Sequence, residues 1–218
     1  KVPVMTTTVP GTGRGLGTPG DRSVASPAMT IERVGILGSG IMGSGIAEVA
    51  AKSGFEVVLR SRKQESADAM VAALEKSLAR QVERGKLEQA TADEVRARVT
   101  ATDHLGALVD CDLVIESVVE DLAVKKPLFA ELDSVVKDSA ILATNTSTLP
   151  VVDMAVATER PDRVCGVHFF NPAPAMALVE IVRPLTASDE TIAAVTEFAS
   201  ACGKNPVQVK DRAGFIVN

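Results

Sequence analysis

Residues 34–47 read Val-Gly-Ile-Leu-Gly-Ser-Gly-Ile-Met-Gly-Ser-Gly-Ile-Ala, and this stretch decides the fold. A short apolar strand runs into Gly38-x-Gly40-x-x-Gly43, and a helical pattern follows at once. Gly38 allows a tight turn, Gly40 lets backbone approach a pyrophosphate, and Gly43 lets helix and strand pack closely. The helix that opens here offers its N-terminus to the anion, which brings Ile41 and Met42 to the ligand as well. Gly15-x-Gly17-x-x-Gly20 carries the same spacing as an internal control. No strand precedes it, Pro19 falls within it, and no apolar helix follows, so it is rejected.

Outward from this turn, apolar runs alternate with helix-length segments. Strands are expected at Arg33–Leu37, Glu56–Leu59, Val99–Thr102, Leu113–Ser117, Ile141–Thr144, Val164–His168 and Leu178–Val182. Their shortness and β-branched content fit buried parallel strands. Helices are expected at Ile41–Lys52, Gln64–Arg84, Ala92–Arg98, Ala123–Val136 and Asp189–Cys202. Thr91 and Glu94 suggest a capping box for the third helix, and Pro127 suggests an irregular first turn in the fourth. The alternation predicts an α/β, Rossmann-type, doubly wound and mostly parallel sheet. Between the second and third strands lie two helices, broken near Gly85. That helical-hairpin insertion reads either as structural or as an arm that closes over a substrate.

Composition narrows the function. The 218 residues carry a net charge of −5, with neither Trp nor Tyr, and no basic run, so nucleic acid is not an expected partner. The three cysteines, Cys111, Cys165 and Cys202, are widely spaced and form no CxxC, which suits a reduced, cytoplasmic setting and small core or surface positions. With only two histidines, far apart, no metal site is expected. No apolar run approaches the ~18 residues of a membrane span, and no signal peptide is visible. Residues 1–28, rich in Thr, Pro, Gly and Ser, read as a flexible tail, with Met29 as a possible native start. Residues 29–212 read as a dinucleotide-binding domain, and 213–218 as the start of a further, helical one.

The cofactor is NAD or NADP. The end of the second strand, where an acid would bond the ribose 2′-hydroxyl, reads Arg60-Ser61-Arg62. A serine and two arginines suit a 2′-phosphate, so NADP acceptance is favoured while NAD stays open. A second candidate centre lies at residues 164–183, VCGVHFFNPAPAMALVEIVR. His168 ends one apolar run, and Glu180 sits in the next. An imidazole moves protons near neutral pH, and a carboxylate on its far nitrogen would fix its tautomer. Ser147 follows a strand end, where α/β ligand sites lie. Glu120 and Lys125 read equally as ligand contacts or as solvated surface groups. Asn145 reads as a turn residue, and His104 as a loop residue of no special role.

Together, GSGIMGSGIA, VIESVVED (114–121), ATNTSTL (143–149), HFFNPAP (168–174) with Glu180, and DRAGFIVN (211–218) resemble the 3-hydroxyacyl-CoA dehydrogenase family. The likeness is greatest to its bacterial 3-hydroxybutyryl-CoA dehydrogenases and spans residues 30–218. It implies reversible, NAD(P)-dependent oxidation of a 3-hydroxyacyl-CoA thioester. His168 would be the acid–base, oriented by Glu180. Ser147 and Asn171 would contact the substrate, with Ser147 also near the nicotinamide. Glu120 and Lys125 would lie on the nicotinamide-ribose side. Ser77 would contact coenzyme A, with Lys86 as its basic partner in competition with Arg84. Asn218 would be an active-site asparagine. The family continues into a helical domain that supplies most of a homodimer contact, so little turnover is expected of these 218 residues alone. Two other readings stand beside this one. The first is a free β-hydroxyacid dehydrogenase, which the absence of a lysine motif disfavours. The second is a crystallin-like, non-enzymatic protein, which His168 and Glu180 disfavour.

Overall fold

The first strand, β1 (Arg33–Leu37), enters the sheet with Val34 and Ile36 on one face and Leu37 on the other. In the computed structural model, which describes residues 29–216, eight strands form one sheet. The others are β2 (Glu56–Arg60), β3 (Val99–Thr102), β4 (Leu113–Glu116), β5 (Ile141–Thr144), β6 (Val164–Phe169), β7 (Leu178–Arg183) and β8 (Asn205–Lys210). The order is β3-β2-β1-β4-β5-β6-β7-β8. Strands from β3 through β6 run parallel, β7 turns back antiparallel to β6, and β8 runs parallel to β7. Strand order reverses beside β1, between β2 and β4, and that is where a doubly wound sheet opens a crevice for ligands.

Six helices cover the two faces: α1 (Ile41–Lys52), α2 (Gln64–Glu83), α3 (Gln89–Ala97), α4 (Leu122–Val135), α5 (Val151–Ala155) and α6 (Asp189–Ala201). One core joins α1, α2, α3 and α6 to Val34, Ile36, Leu59, Ile115 and Ile181. The other joins α4 and α5 to Leu37, Val58, Val114, Leu142 and Val182. Each fully buried aliphatic side chain contributes about 1.5–3 kcal/mol, so both faces must stay covered for the sheet to persist.

Several sequence expectations are corrected. β7 is not parallel to its predecessor; a strand buried on both faces looks the same in either direction. The helix α3 begins at Gln89 after Glu88, so Thr91 lies inside it and makes no capping box. Pro127 lies deeper than the first turn, and α4 runs unbroken through it. β8 and α5 were not foreseen. The hairpin of α2 and α3 takes the structural role in this conformation. Met70, Val71, Leu74, Leu78, Ala92 and Val95 are buried in the core shared with α1. The proposed tail, the rejected second glycine pattern and Asn218 lie outside the described residues.

Candidate active site

The glycine turn has the shape its sequence calls for. Gly38 has φ +117°, and a Cβ there would stand 2.1 Å from the carbonyl oxygen of Ser117. A Cβ on Gly43 would stand 2.3 Å from the Gly38 carbonyl oxygen. Gly40 differs, because a Cβ there would meet nothing within 4 Å. The space above it is open to a ligand, and Gly40 caps α1 without any side-chain bond. The first turn of α1 holds no acidic residue. Backbone N–H groups and the helix dipole therefore face a space that suits a pyrophosphate. The residues present fit a dinucleotide.

Beside the turn lies a cleft of about 720 Å³, bounded by Gly38, Gly40, Arg60, Ser61 and Arg62 on one side. Val118, Val119, Val124, Pro127 and Leu128 supply an apolar wall opposite. Ser61 is buried, and its N–H donates to the Thr102 carbonyl at 3.1 Å. Arg60 Nε donates to the Asp103 carbonyl at 3.4 Å, while Arg62 is exposed. Arg60 and Arg62 thus line one end of the cleft, and no acidic residue stands between them. Ile41 and Met42 sit at the start of α1, and Ile41 is among the most exposed large apolar residues.

Past the ends of β4 and β5 lies a buried charge cluster. Lys125 Nζ stands 3.0 Å from Glu116 Oε1 and 3.0 Å from Glu120 Oε2. Lys125 and Glu116 are fully buried. Thr146 Oγ1 donates to Glu120 Oε1 at 2.5 Å, and the Ser147 N–H donates to the same oxygen at 2.9 Å. Burial works against ionisation of Glu120, but the bonds from Thr146 and Lys125, the Lys125 charge and the Ser147 N–H outweigh it. They hold its carboxyl below the usual range. Lys125 is therefore buried, while Glu120 stays partly exposed and is held by Lys125, Thr146 and the Ser147 N–H.

Farther across the sheet, His168 and Glu180 are directly opposed in the antiparallel β6–β7 ladder. His168 Nδ1 stands 2.8 Å from Glu180 Oε2, with both side chains buried. A carboxylate only accepts, so Nδ1 is the donor to Glu180 and Nε2 is the ring nitrogen left for other partners. The imidazole lies 4.4 Å from the Phe170 ring and 5.8 Å from the Phe215 ring, centroid to centroid. The Ile216 N–H donates to Glu180 Oε1 at 3.2 Å. Such a ring is oriented for proton transfer, and its partner supports the charge it gains.

Two contacts tie this pair to the rest. Asn145, expected in a turn, accepts from the Phe169 N–H at 2.8 Å and donates through Nδ2 to Ser117 Oγ at 3.4 Å. It joins the ends of β4, β5 and β6, a role that no local pattern reveals. Ala173 and Pro174, just after His168, lie within 3.4 Å of where a Cβ of Gly45 would be. The histidine loop therefore rests on α1, the helix that begins at the glycine turn. Asn171 is exposed in this loop, ahead of a cis bond to Pro172.

The substrate-binding candidates on the hairpin lie elsewhere. Ser77 Oγ accepts from Gln81 Nε2 at 3.3 Å, and Gln81 also donates to the buried Glu48 at 2.9 Å. Lys86 is exposed in the turn after α2. His104 is exposed beside Asp103. Burial pushes the Cys111 and Cys202 thiols up to about 11 and the Cys165 thiol to about 12, so none is poised as a nucleophile. Among the described residues, no group of three or more His, Cys, Asp or Glu could hold a metal, and no helix is long and apolar enough to cross a membrane. Glu116 was missed by sequence reasoning, because a lone acid at the end of an apolar strand carries no pattern.

Comparison with known proteins gives a consistent result. The family model described as 3-hydroxyacyl-CoA dehydrogenase, NAD binding domain, matches residues 33–212. A 3-hydroxybutyryl-CoA dehydrogenase of Mycobacterium tuberculosis is 48% identical over 194 residues, covering 86% of this chain and 66% of the relative. A probable 3-hydroxybutyryl-CoA dehydrogenase of Deinococcus radiodurans is 45% identical over 186 residues, covering 85% and 66%. The crystal structure of (S)-3-hydroxybutyryl-CoA dehydrogenase from Ralstonia eutropha superposes with a TM-score of 0.85 at 39% identity, covering 87% of this chain and 67% of that one. This chain thus spans about two thirds of the length of such relatives.

Proposed function

The chain belongs to the 3-hydroxyacyl-CoA dehydrogenase family, as its NAD-binding domain, and on that premise we propose that the whole protein interconverts 3-hydroxyacyl-CoA and 3-oxoacyl-CoA thioesters. Short acyl chains, such as 3-hydroxybutyryl-CoA, fit the names of its relatives. The observation that carries the reading is the His168–Glu180 pair, 2.8 Å apart on β6 and β7, with the loop that follows His168 resting at Ala173 and Pro174 on the helix that opens at the glycine turn.

The residues divide the work. A nicotinamide bound along the cleft supplies the acceptor for the hydride of the alcohol carbon, or its donor in reverse. His168 takes the hydroxyl proton through Nε2 during oxidation and returns it during ketone reduction. Glu180 holds the ring and supports the imidazolium. Ser147 and Asn171 hold the reacting oxygen and thioester. Glu120, steadied by Lys125, lines the nicotinamide-ribose side, while Gly38, Gly40, Ile41, Met42 and Gly43 receive the pyrophosphate region. Ser77 and Lys86 on the hairpin would meet the coenzyme A portion. Arg60, Ser61 and Arg62 support acceptance of a 2′-phosphate, and hence of NADP beside NAD. The reading carries with it a cytoplasmic homodimer of the full-length protein.

The test is an assay of the full-length protein with acetoacetyl-CoA and longer 3-oxoacyl-CoAs, using NADH and NADPH in turn. Turnover is expected with the thioesters, and kcat/KM with NADPH within about tenfold of that with NADH. No turnover with any 3-oxoacyl-CoA would sink the substrate class. A preference for NADH beyond about a hundredfold would sink the arginine argument alone.

A further inference from the structure

The cluster behind Ser147 holds more charge than its own stability calls for. One carboxylate suffices to neutralise a buried lysine, and a second one taken out of water adds a desolvation cost. Lys125 nevertheless stands at 3.0 Å from both Glu116 and Glu120. Glu116 is locked in place. Its Oε1 accepts from the Val118 N–H at 2.6 Å and its Oε2 from Thr144 Oγ1 at 2.7 Å. The Val118 N–H, the Thr144 hydroxyl and Lys125 Nζ all bring donors to it. Two carboxylates and one ammonium leave one negative charge.

That charge has a single outlet. The side chains of Glu116 and Lys125 are sealed, at 0% and 1% exposure, whereas Glu120 is 37% exposed at the ends of β4 and β5. A dinucleotide with its pyrophosphate at the glycine turn and its adenosine beside Arg60–Arg62 extends its other half over these strand ends. The oxidised nicotinamide ring is cationic, and the reduced ring is neutral. A standing negative charge beside it distinguishes the two forms.

We propose that Glu116, acting through Lys125 and Glu120, is a positioning residue that keeps the nicotinamide end of the site negative and so biases the chain toward the oxidised cofactor. The proposal rests on the dinucleotide reading above. Without Glu116, Lys125 and Glu120 would form a neutral pair and the bias would go. One unit charge acting across several ångströms of partly screened protein corresponds to a ratio of about three- to tenfold.

The test uses the full-length protein and separate dissociation constants for NAD+ and NADH, the latter from its fluorescence and the former by competition. Glu116→Gln and Glu120→Gln should each lower the ratio Kd(NADH)/Kd(NAD+) by about three- to tenfold, and the double variant should lower it further. Glu120 is at the rim, so its variant carries the test even if Glu116→Gln does not fold. If the two constants move together and the ratio stays fixed, the cluster only supports the fold and the proposal is wrong. If the unaltered chain binds neither form, the dinucleotide reading itself fails, and this proposal with it.

Discussion

His168 meets Glu180 because β6 and β7 are antiparallel and in register at that pair. A slip of one residue would turn one of them to the opposite face. Glu180→Gln keeps the size of the side chain but offers an amide where a carboxylate accepted a proton. The ring then loses its fixed tautomer and the support for its positive form. We expect kcat of the full-length protein to fall about a hundredfold, with the NADH dissociation constant unchanged. A variant with unaltered kcat would show that the acid is only a packing partner. The pairing of these two residues was legible in the sequence, as a histidine ending one apolar run and an acid in the next. Their direct opposition was not, because no local signal distinguishes an antiparallel return from another parallel strand. Lys125 shows the opposite case. Read alone it is equally a ligand contact or a surface lysine, and only its partners Glu116 and Glu120 account for its burial.

At the level of elements, the β6–β7 connection is held from outside. Lys204, at the turn before β8, donates from Nζ to the carbonyls of Ala173 at 2.7 Å and Met176 at 2.9 Å. Burial lowers its pKa, so the ammonium depends on those two acceptors. Lys204→Met would keep the stem packed and remove both bonds. Chemical denaturation should show a loss of about 2 kcal/mol, and the loop bearing Asn171 should loosen. A loss below about 0.5 kcal/mol would mean that the strap contributes little. Asp211 does comparable work in the DRAGFIVN motif. Its carboxylate accepts from the N–H groups of Val151 and Val152 at 3.0 and 2.7 Å, at the start of α5. The five residues of α5 are too few to display a helical period, and β8 hides behind Pro206 and mostly exposed positions. Both therefore escaped the reading of the sequence, while the longer helices and the buried strands were found within a residue or so, save for the start of α3.

Across the whole molecule, the two halves of the chemistry lie on opposite sides of β4. The dinucleotide cleft opens toward β2, and the acid–base pair lies toward β7. Alternation of strands and helices made the doubly wound sheet legible, and the glycine turn fixed where its ligand would sit. What the sequence could not supply was how the loop after His168 comes to rest on α1, since that depends on contacts between residues more than a hundred positions apart, as between Gly45 and Ala173. In the proposed mechanism one set of residues binds the cofactor and another group, His168, moves the proton. The direct measurement is made on the full-length protein with His168→Gln, comparing NADH affinity with the rate of acetoacetyl-CoA reduction. The account predicts an NADH dissociation constant within about twofold of the unaltered protein and a rate lower by about a thousandfold or more. A rate that survives within about tenfold would contradict it.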